Sequence, residues 1–269
     1  MPRQTVQPPA PIPVATSASS ASWKPSPDLL AHSYSIEQRA QVTTLAGGAS
    51  SADSTILLVD AALRRTPEGG VAGIIDGVRV GSSAALLRTP DGLPLPLAVV
   101  ARPFSNGQGP IFSASGAPAL SACPSPASSA LAALRDLVMR MPDSLVVGTS
   151  WSDSGRATGC AGAGVLAIDA VRTYIVTGHV AAGVSDSVPD EHLIVRRTTH
   201  LTLSGEVARN ADTTVISGQG TGALTFLVST TTGNILAGSG TSTVNVSVRS
   251  TLREEIARQS AEIRVRRVR

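Results

Sequence analysis

The residues that most often carry chemistry in proteins are few in this chain and lie far apart. Four histidines and two cysteines occur in 269 residues. No two histidines have the H-E-x-x-H spacing that would bring two zinc ligands onto one helix face. The run Asp190-Glu191-His192 could hold a cation, although such clusters are more often solvated turns. We therefore predict no metal site and no cofactor.

Two stretches come close to motifs for catalysis or phosphate binding, but each lacks parts that the chemistry needs. Gly148-Thr149-Ser150-Trp151-Ser152 lacks the final glycine of a nucleophile elbow and leads into a predicted strand. Gly218-Gln219-Gly220-Thr221-Gly222 lacks the lysine and the following helix of a phosphate-binding loop. We predict that the protein is not an enzyme. The alternative is a hydrolase-like enzyme whose polar groups meet only in the fold, for example Asp153, His179 and Asp190.

The two cysteines flank the one clear helix of the sequence. Cys123 precedes this helix and Cys160 follows it, so a disulfide between them would pin the helix to the strands around it. Closing this loop stabilises the fold by roughly 4 kcal/mol in the chain-entropy model. The bond requires an oxidising compartment. The alternative is two buried free thiols in a cytosolic protein.

The stretch from Thr198 to Val268 sets the predicted fold. Apolar or small residues alternate with Ser, Thr, Gln and Asn over Ile216–Val228 and again over Leu236–Val248, which is the pattern of a strand with one buried face. A three-residue loop with Gly233 in the left-handed region would join them as a hairpin that pairs Thr230 with Asn234.

This register places a large residue opposite a small one along the hairpin. It opposes Phe226 to Gly238, Leu224 to Gly240, Gly222 to Ser242 and Gly220 to Val244. A bulky cross-strand neighbour covers the bare backbone of glycine, and the missing side chains let the sheet bend toward its apolar side. We therefore expect a strongly curved sheet, although a general bias toward small residues would give a similar pattern.

The rest of the chain predicts further antiparallel strands and one helix. Short connections favour a meander, because a parallel crossover needs a dozen or more residues. The helix begins with Ser125 as its cap and Pro126 at its first position, and it carries an apolar stripe. Residues 252–263 fit a strand or a helix, and we favour a strand; residues 81–118 are hard to interpret apart from one short strand. The predicted elements are strands at 34–42, 57–63, 71–80, 97–101, 149–159, 165–177 and 192–208, and a helix at 126–141.

These patterns define a mainly β protein. We predict one curved antiparallel sheet, a half-barrel or open barrel of roughly ten strands, with the helix packed on it. Residues 31–269 form this single domain. The formal charge of +3 and a single lysine do not indicate a nucleic-acid partner. No apolar run reaches the roughly 18 residues of a transmembrane helix.

Residues 1–30 are rich in Pro, Ser and Ala and are predicted to form a disordered tether. Such leaders are common after the cleaved or lipid-anchored N-terminus of bacterial envelope proteins. We therefore expect a secreted protein of the cell envelope, periplasmic or extracellular. If Met1 is the true start of the chain, a cytoplasmic location is the alternative.

One segment supports a resemblance. The stretch from Met141-Pro142 to Gly148-Thr149-Ser150-Trp151 resembles the "proline, then glycine-x-x-tryptophan" start of the second half of uncharacterised bacterial envelope and lipoprotein families. Those families are built as curved antiparallel sheets, and the pattern of Gly220–Val248 is similar too. In outline the chain also looks like the half-barrel with an inner helix of lipoprotein carriers. The resemblance implies this fold and an envelope role, and it assigns no residue a function.

The expected function is a non-enzymatic binding or structural role in the cell envelope. The partner would be an apolar small molecule or an envelope component, held in an apolar groove between helix and sheet. The same residues would equally fill a closed core, which we favour, and a self-associating surface protein with exposed strand edges is a further alternative. The predicted groove residues are Leu131, Leu134, Val138, Leu224, Phe226 and Val244.

Overall fold

The computed structural model describes residues 21–26, 28–82, 96–102, 107–108, 112–115, 126–161, 164–181, 191–209, 212–250 and 254–268. Within these residues the chain forms one twelve-stranded sheet and one helix. The predicted mainly β fold, a curved antiparallel sheet with one main helix, is confirmed. The strands are β1 (His32–Ala46), β2 (Ala49–Arg65), β3 (Val71–Gly81), β4 (Leu97–Ala101), β5 (Gly107–Gln108), β6 (Phe112–Ser115), β7 (Ser150–Ala161), β8 (Gly164–Val180), β9 (His192–Arg209), β10 (Asp212–Ser229), β11 (Ile235–Arg249) and β12 (Glu254–Val268), and the helix is α1 (Pro126–Leu134).

The sheet consists mainly of two meanders, β1 to β4 and β7 to β12, which are joined where the last strand pairs with the first. Its strand order is β5-β7-β8-β9-β10-β11-β12-β1-β2-β3-β4-β6, so β12 pairs with β1. Every described pair is antiparallel except β5 with β7. Strand β12 starts at Glu254. The described part of the region 252–263 is therefore a strand, as predicted. No helix in the described ranges has the length and apolar character needed to cross a membrane.

The two edges of the sheet approach each other. Gln108 in β5 lies beside Arg156 at one edge, and Phe112 in β6 lies beside Ala101 at the other. The four-residue step from 108 to 112 spans at most about 14 Å, whereas nine strand spacings in a flat sheet from β7 to β4 would measure about 43 Å. The sheet must therefore curl strongly.

The hairpin of β10 and β11 has the predicted register over most of its length. All four predicted large-to-small pairs, from Gly220 with Val244 to Phe226 with Gly238, are present. The predicted three-residue loop is wrong by one residue. The amide of Ser229 donates a 2.9 Å hydrogen bond to the carbonyl of Asn234, and the register shifts beyond Leu227. Gly233 has a φ of +67° in the four-residue loop, and a bulge absorbs the extra residue.

Glycines on the inner face leave space only for the side chain of the neighbouring strand. A Cβ added to Gly238 would lie 2.6 Å from Cδ1 of Phe226, and one added to Gly240 would lie 2.1 Å from the carbonyl oxygen of Ala223. The two strands thus pack closely on the inner face at these cross-strand pairs, here called rungs. Sharp bending toward that face requires such close packing.

The helix fills the hollow of the curved sheet. It contacts β2 and β3 on one side and β7 on the other, so it lies between the two ends of the sheet. Its residues Ala130 and Leu134 are fully buried, as are Ile36, Val195 and Phe226 on the surrounding strands. A second, smaller apolar cluster around Leu166, Leu203 and Ile216 covers the inner face beyond the helix.

The helix starts at the predicted residue and ends earlier than predicted, at Leu134 rather than at residue 141. After it, the amides of Asp136 and Leu137 donate to the carbonyls three residues earlier, Ala133 and Leu134, so the chain tightens into turns. The proposed cap Ser125 lies outside the described residues.

The N-terminal segment contacts the domain before the first strand. Of the predicted tether, residues 1–20 lie outside the described part. Trp23, however, forms a backbone bridge with Leu145, and it is 9% exposed within the main core. The amide of Ser26 donates a 2.8 Å hydrogen bond to the carbonyl of Thr231. Trp23 thus contacts the domain eight residues before residue 31.

We predict that Gly240→Ala destabilises the fold by about 1–3 kcal/mol, because the new methyl group overlaps the Ala223 backbone and forces the rung apart. Gly222→Ala is the matched control on the same inner face. Its added carbon would lie 3.3 Å from Cβ of Ser242, so its cost should be below about 1 kcal/mol. Urea unfolding followed by circular dichroism measures both. Equal losses in the two variants would contradict the tight rung at Gly240.

Candidate functional site

Three inward-pointing arginines hold the chain that follows the helix. Arg65 donates a 2.7 Å hydrogen bond to the carbonyl of Met139. Arg172 donates one of 3.2 Å to the carbonyl of Arg135, and Arg197 donates one of 3.3 Å to the carbonyl of Asp136. Cations near a helix C-terminus satisfy free carbonyls and favour the helix dipole. These bonds hold the turns at residues 135–139, directly after the end of the helix.

Asp153 and Arg172 form a buried ion pair on adjacent strands. Nε and Nη2 of Arg172 donate to the two carboxylate oxygens of Asp153 at 2.7 and 2.9 Å, and the two side chains are 4% and 8% exposed. The hydroxyl group of Tyr174 donates a third bond to Asp153, at 3.1 Å. Trp151 stacks on Tyr174 with ring centroids 5.0 Å apart. Asp153 is therefore held by three donors and serves as the acceptor of this cluster.

A second buried arginine, on the next strand β9, also pairs with a carboxylate. Arg197 is buried, donates to a carboxylate oxygen of Asp136, and lies 5.4 Å from the centroid of the Phe226 ring. Arg65 is also buried and donates a second bond, of 2.6 Å, to the carbonyl of Gly233 at the hairpin loop. Its burial lowers the pKa of this guanidinium, although an arginine keeps its charge in proteins. The network thus ties β2, β8 and β9 to one point after the helix.

We predict that Asp153→Asn destabilises the fold by about 3–5 kcal/mol, because it leaves the charge of Arg172 buried without a carboxylate. Glu254→Gln is the matched control, since the Arg249–Glu254 pair is exposed, at 70% and 56%, and should lose under about 1 kcal/mol. Denaturant titration at neutral pH compares the two. If Asp153→Asn costs no more than its control, the ion pair is not a stabilising contact.

Both tyrosines of the chain are buried, and burial raises the pKa of each phenol. Tyr174 is inaccessible to solvent and Tyr34 is 7% exposed, and for both of them loss of solvation is the largest cause of the raised pKa. The native state therefore keeps protons that the unfolded chain releases above about pH 10. The stability that these phenols contribute is complete below that pH and is lost as the pH rises through their native pKa values.

We predict that the folded protein shows little phenolate absorbance at about pH 10.5, whereas roughly three quarters of the tyrosine should be ionised at that pH in concentrated urea. The free energy of unfolding should fall as the pH rises above about 10. Tyr174→Phe should lessen this alkaline loss, and ultraviolet titration with parallel urea unfolding measures both effects. Phenolate formation with a pKa near 10 in the folded protein would show that the phenols are solvated.

Of the three residues proposed for an enzymatic site, the structure describes Asp153 and His179, and these two lie far apart. Asp153 pairs across the sheet with Arg172, and His179 lies seven residues further along the same strand, which corresponds to roughly 23 Å. Asp190 lies outside the described residues. His179 instead stacks on Trp23 with centroids 4.8 Å apart, and its Nε2 lies 3.2 Å from Oε2 of Glu191. In the described ranges, no group of His, Cys, Asp and Glu side chains could hold a metal ion.

The predicted groove residues belong to the core. Four of them, Leu131, Leu134, Leu224 and Phe226, lie in the main apolar cluster. Val138 packs with Val71 and Ala101, and Val244 lies against the small cluster beyond the helix. None of the six lines either of the two cavities described for this chain. All six positions therefore lie in or against apolar clusters, and the choice between a groove and a closed core stays a prediction.

Cys160 lies in β7, opposite Val165 of β8. Cys123 lies outside the described residues, so the disulfide between them stays a prediction.

The larger cavity is a groove on the outer face of the sheet, which no sequence motif indicated. It measures about 610 Å³ and crosses β7, β8, β9, β10 and β11. We call it the outer groove. The pairing registers align its outward side chains in two rows that cross the strands. The first row is Ser154, Val171, His200, Thr221 and Thr243, and the second is Asp169, Thr202, Gln219 and Asn245.

The outer groove carries mostly polar side chains on a surface that also includes apolar atoms, and it is close to neutral. Its one carboxylate, Asp169, accepts bonds of 2.8 and 3.1 Å from Nε and Nη2 of Arg156. The hydrogen bonds from Arg156 are the largest cause of the lowered pKa of this carboxyl group. The other polar lining side chains are hydroxyls, amides and one imidazole. The alternation pattern that predicted the strands also places these residues outward, but their alignment depends on the register of four strand pairs.

Comparison with known proteins gives no family for this chain. No known protein family matches it, and no curated protein does. Among solved structures, the crystal structure of Pseudomonas aeruginosa OccK2 (OpdF) aligns over 90% of this chain and 100% of its own, with 7% sequence identity and a TM-score of 0.29. A likeness this slight carries no argument. The resemblance to envelope and lipoprotein families therefore stays a prediction.

Proposed function

We propose that this chain is a non-enzymatic binding protein of the cell envelope, and that the outer groove is its binding surface. The observation that carries the proposal is the groove itself. It offers an open groove with polar side chains on strands whose backbone groups are already paired in the sheet. Binding to such a preformed surface costs little ordering of the protein.

The interior supports a binding role over catalysis. A catalytic carboxylate must reach a substrate, yet Asp153 and Asp136 are each held by a buried arginine. Asp153 is buried on β7 and Asp136 lies in the turn after the helix, and neither lines the outer groove. Removing either partner of such a pair destabilises the protein, which gives these charges a role in the fold.

Two features of the sequence support the proposed envelope location. A disulfide between Cys123 and Cys160 would persist only in an oxidising compartment. A leader rich in Pro, Ser and Ala is the type of segment that holds a domain away from a membrane or wall.

Mass spectrometry of the protein from fractionated native cells tests this proposal. We predict recovery in the envelope or extracellular fraction, with a mass that increases by two hydrogens on reduction because the disulfide opens. A control digest should show the peptides of Cys123 and Cys160 joined before reduction and separate after it. Recovery from the cytosol with both thiols free would contradict the envelope proposal.

A further inference from the structure

The outer groove is shaped for a ligand that runs across the strands. Its lining residues come from five adjacent strands, and four strand spacings of the usual size measure about 19 Å. Most of its outward side chains, including Thr202, Gln219 and Asn245, are exposed, so the groove is open along its length. An open groove of this length fits an extended chain better than it fits a small enclosed molecule.

The side chains of the groove match a ligand that carries many hydroxyl groups. Each threonine and serine hydroxyl can both donate and accept a hydrogen bond, and Gln219 and Asn245 each offer a carbonyl oxygen and an NH2 group. The exposed side chain of Val171, at 49%, adds a small apolar surface within the first row. Sugars present this combination, because hydroxyls surround a ring whose C–H faces are apolar.

The groove lacks the features that bind the other common chain-like ligands. Nucleic acids require several basic side chains at their phosphates, and no arginine or lysine lines the groove. Arg156 beside it is already bonded to Asp169. An extended peptide that adds to a sheet needs an open strand edge, whereas the five strands of the groove pair with one another.

We propose that the outer groove binds a neutral, unbranched glycan chain that lies across β7 to β11. This inference rests on the proposed binding function and names its ligand class. Hydrogen-bonding side chains recur at the strand spacing of about 4.8 Å along the second row, and along the first row except at Val171. Successive sugar rings of an extended glycan would therefore meet equivalent positions on successive strands.

Retention of the purified full chain on insoluble cellulose and chitin tests the inference, with heparin resin as the anionic comparison. The test variant is Thr202→Val with Thr221→Val, which removes one hydroxyl from each row while keeping side-chain shape and strand preference. The control is Thr173→Val with Thr241→Val, on the same outer face beside the groove lining. Both threonines of the control are exposed.

We expect the unaltered protein and the control to bind at least one of the two neutral glycans, and we expect the groove variant to lose affinity by about tenfold, as for two lost hydrogen bonds. No retention on either neutral glycan, retention on heparin alone, or equal retention of both variants would overturn the inference. Circular dichroism and the urea midpoint verify that each variant is folded.

The outcomes separate this inference from the proposed function. If the protein is found in the envelope with its cysteines joined but binds neither glycan, the proposed location and binding role stand and the glycan assignment fails. A cytosolic, reduced protein contradicts the envelope proposal whatever it binds.

Discussion

The fold depends on the packing of large side chains over glycine on neighbouring strands. Gly238 lies under Phe226, and Gly218 lies under Cδ1 of Leu203 at a distance that leaves no room for a Cβ. Each such contact lets two strands turn more sharply toward the inner face than two full side chains would permit. Repeated over β8 to β11, these contacts bend the sheet enough to enclose a helix.

The curvature of the sheet gives the molecule a hollow inner face and an outer face. The hollow side is filled by the helix and by apolar strand residues, and three arginines that bind the carbonyls after the helix fix it there. Because these charges are buried, they constrain the position of the helix more than they add net stability. The outer side keeps the polar half of each strand, and across β7 to β11 its hydroxyl and amide groups line the outer groove.

Much of this fold could be predicted from the sequence, because strand alternation and turn residues are local signals. The pairing of Leu224 with Gly240 followed from counting outward from Gly233, and only the loop length was wrong, since a bulge beyond Leu227 cannot be read from alternation. The helix end could not be predicted, because the arginines that bind the turns after it lie on distant strands. The candidate site was missed for the same reason: Thr202 and Gln219 become neighbours only through the register of β9 and β10.

The distance between the two edges of the sheet tests the central claim most directly. Chain length limits the backbone separation of Ala101 and Arg156 to about 24 Å, from two strand spacings and the 108–112 step. Nitroxide labels at the exposed positions Val100 and Arg156, measured by pulsed electron paramagnetic resonance, should give a distribution centred below about 35 Å once the label arms are included. A distribution centred above about 45 Å, as a flat sheet requires, would contradict the account.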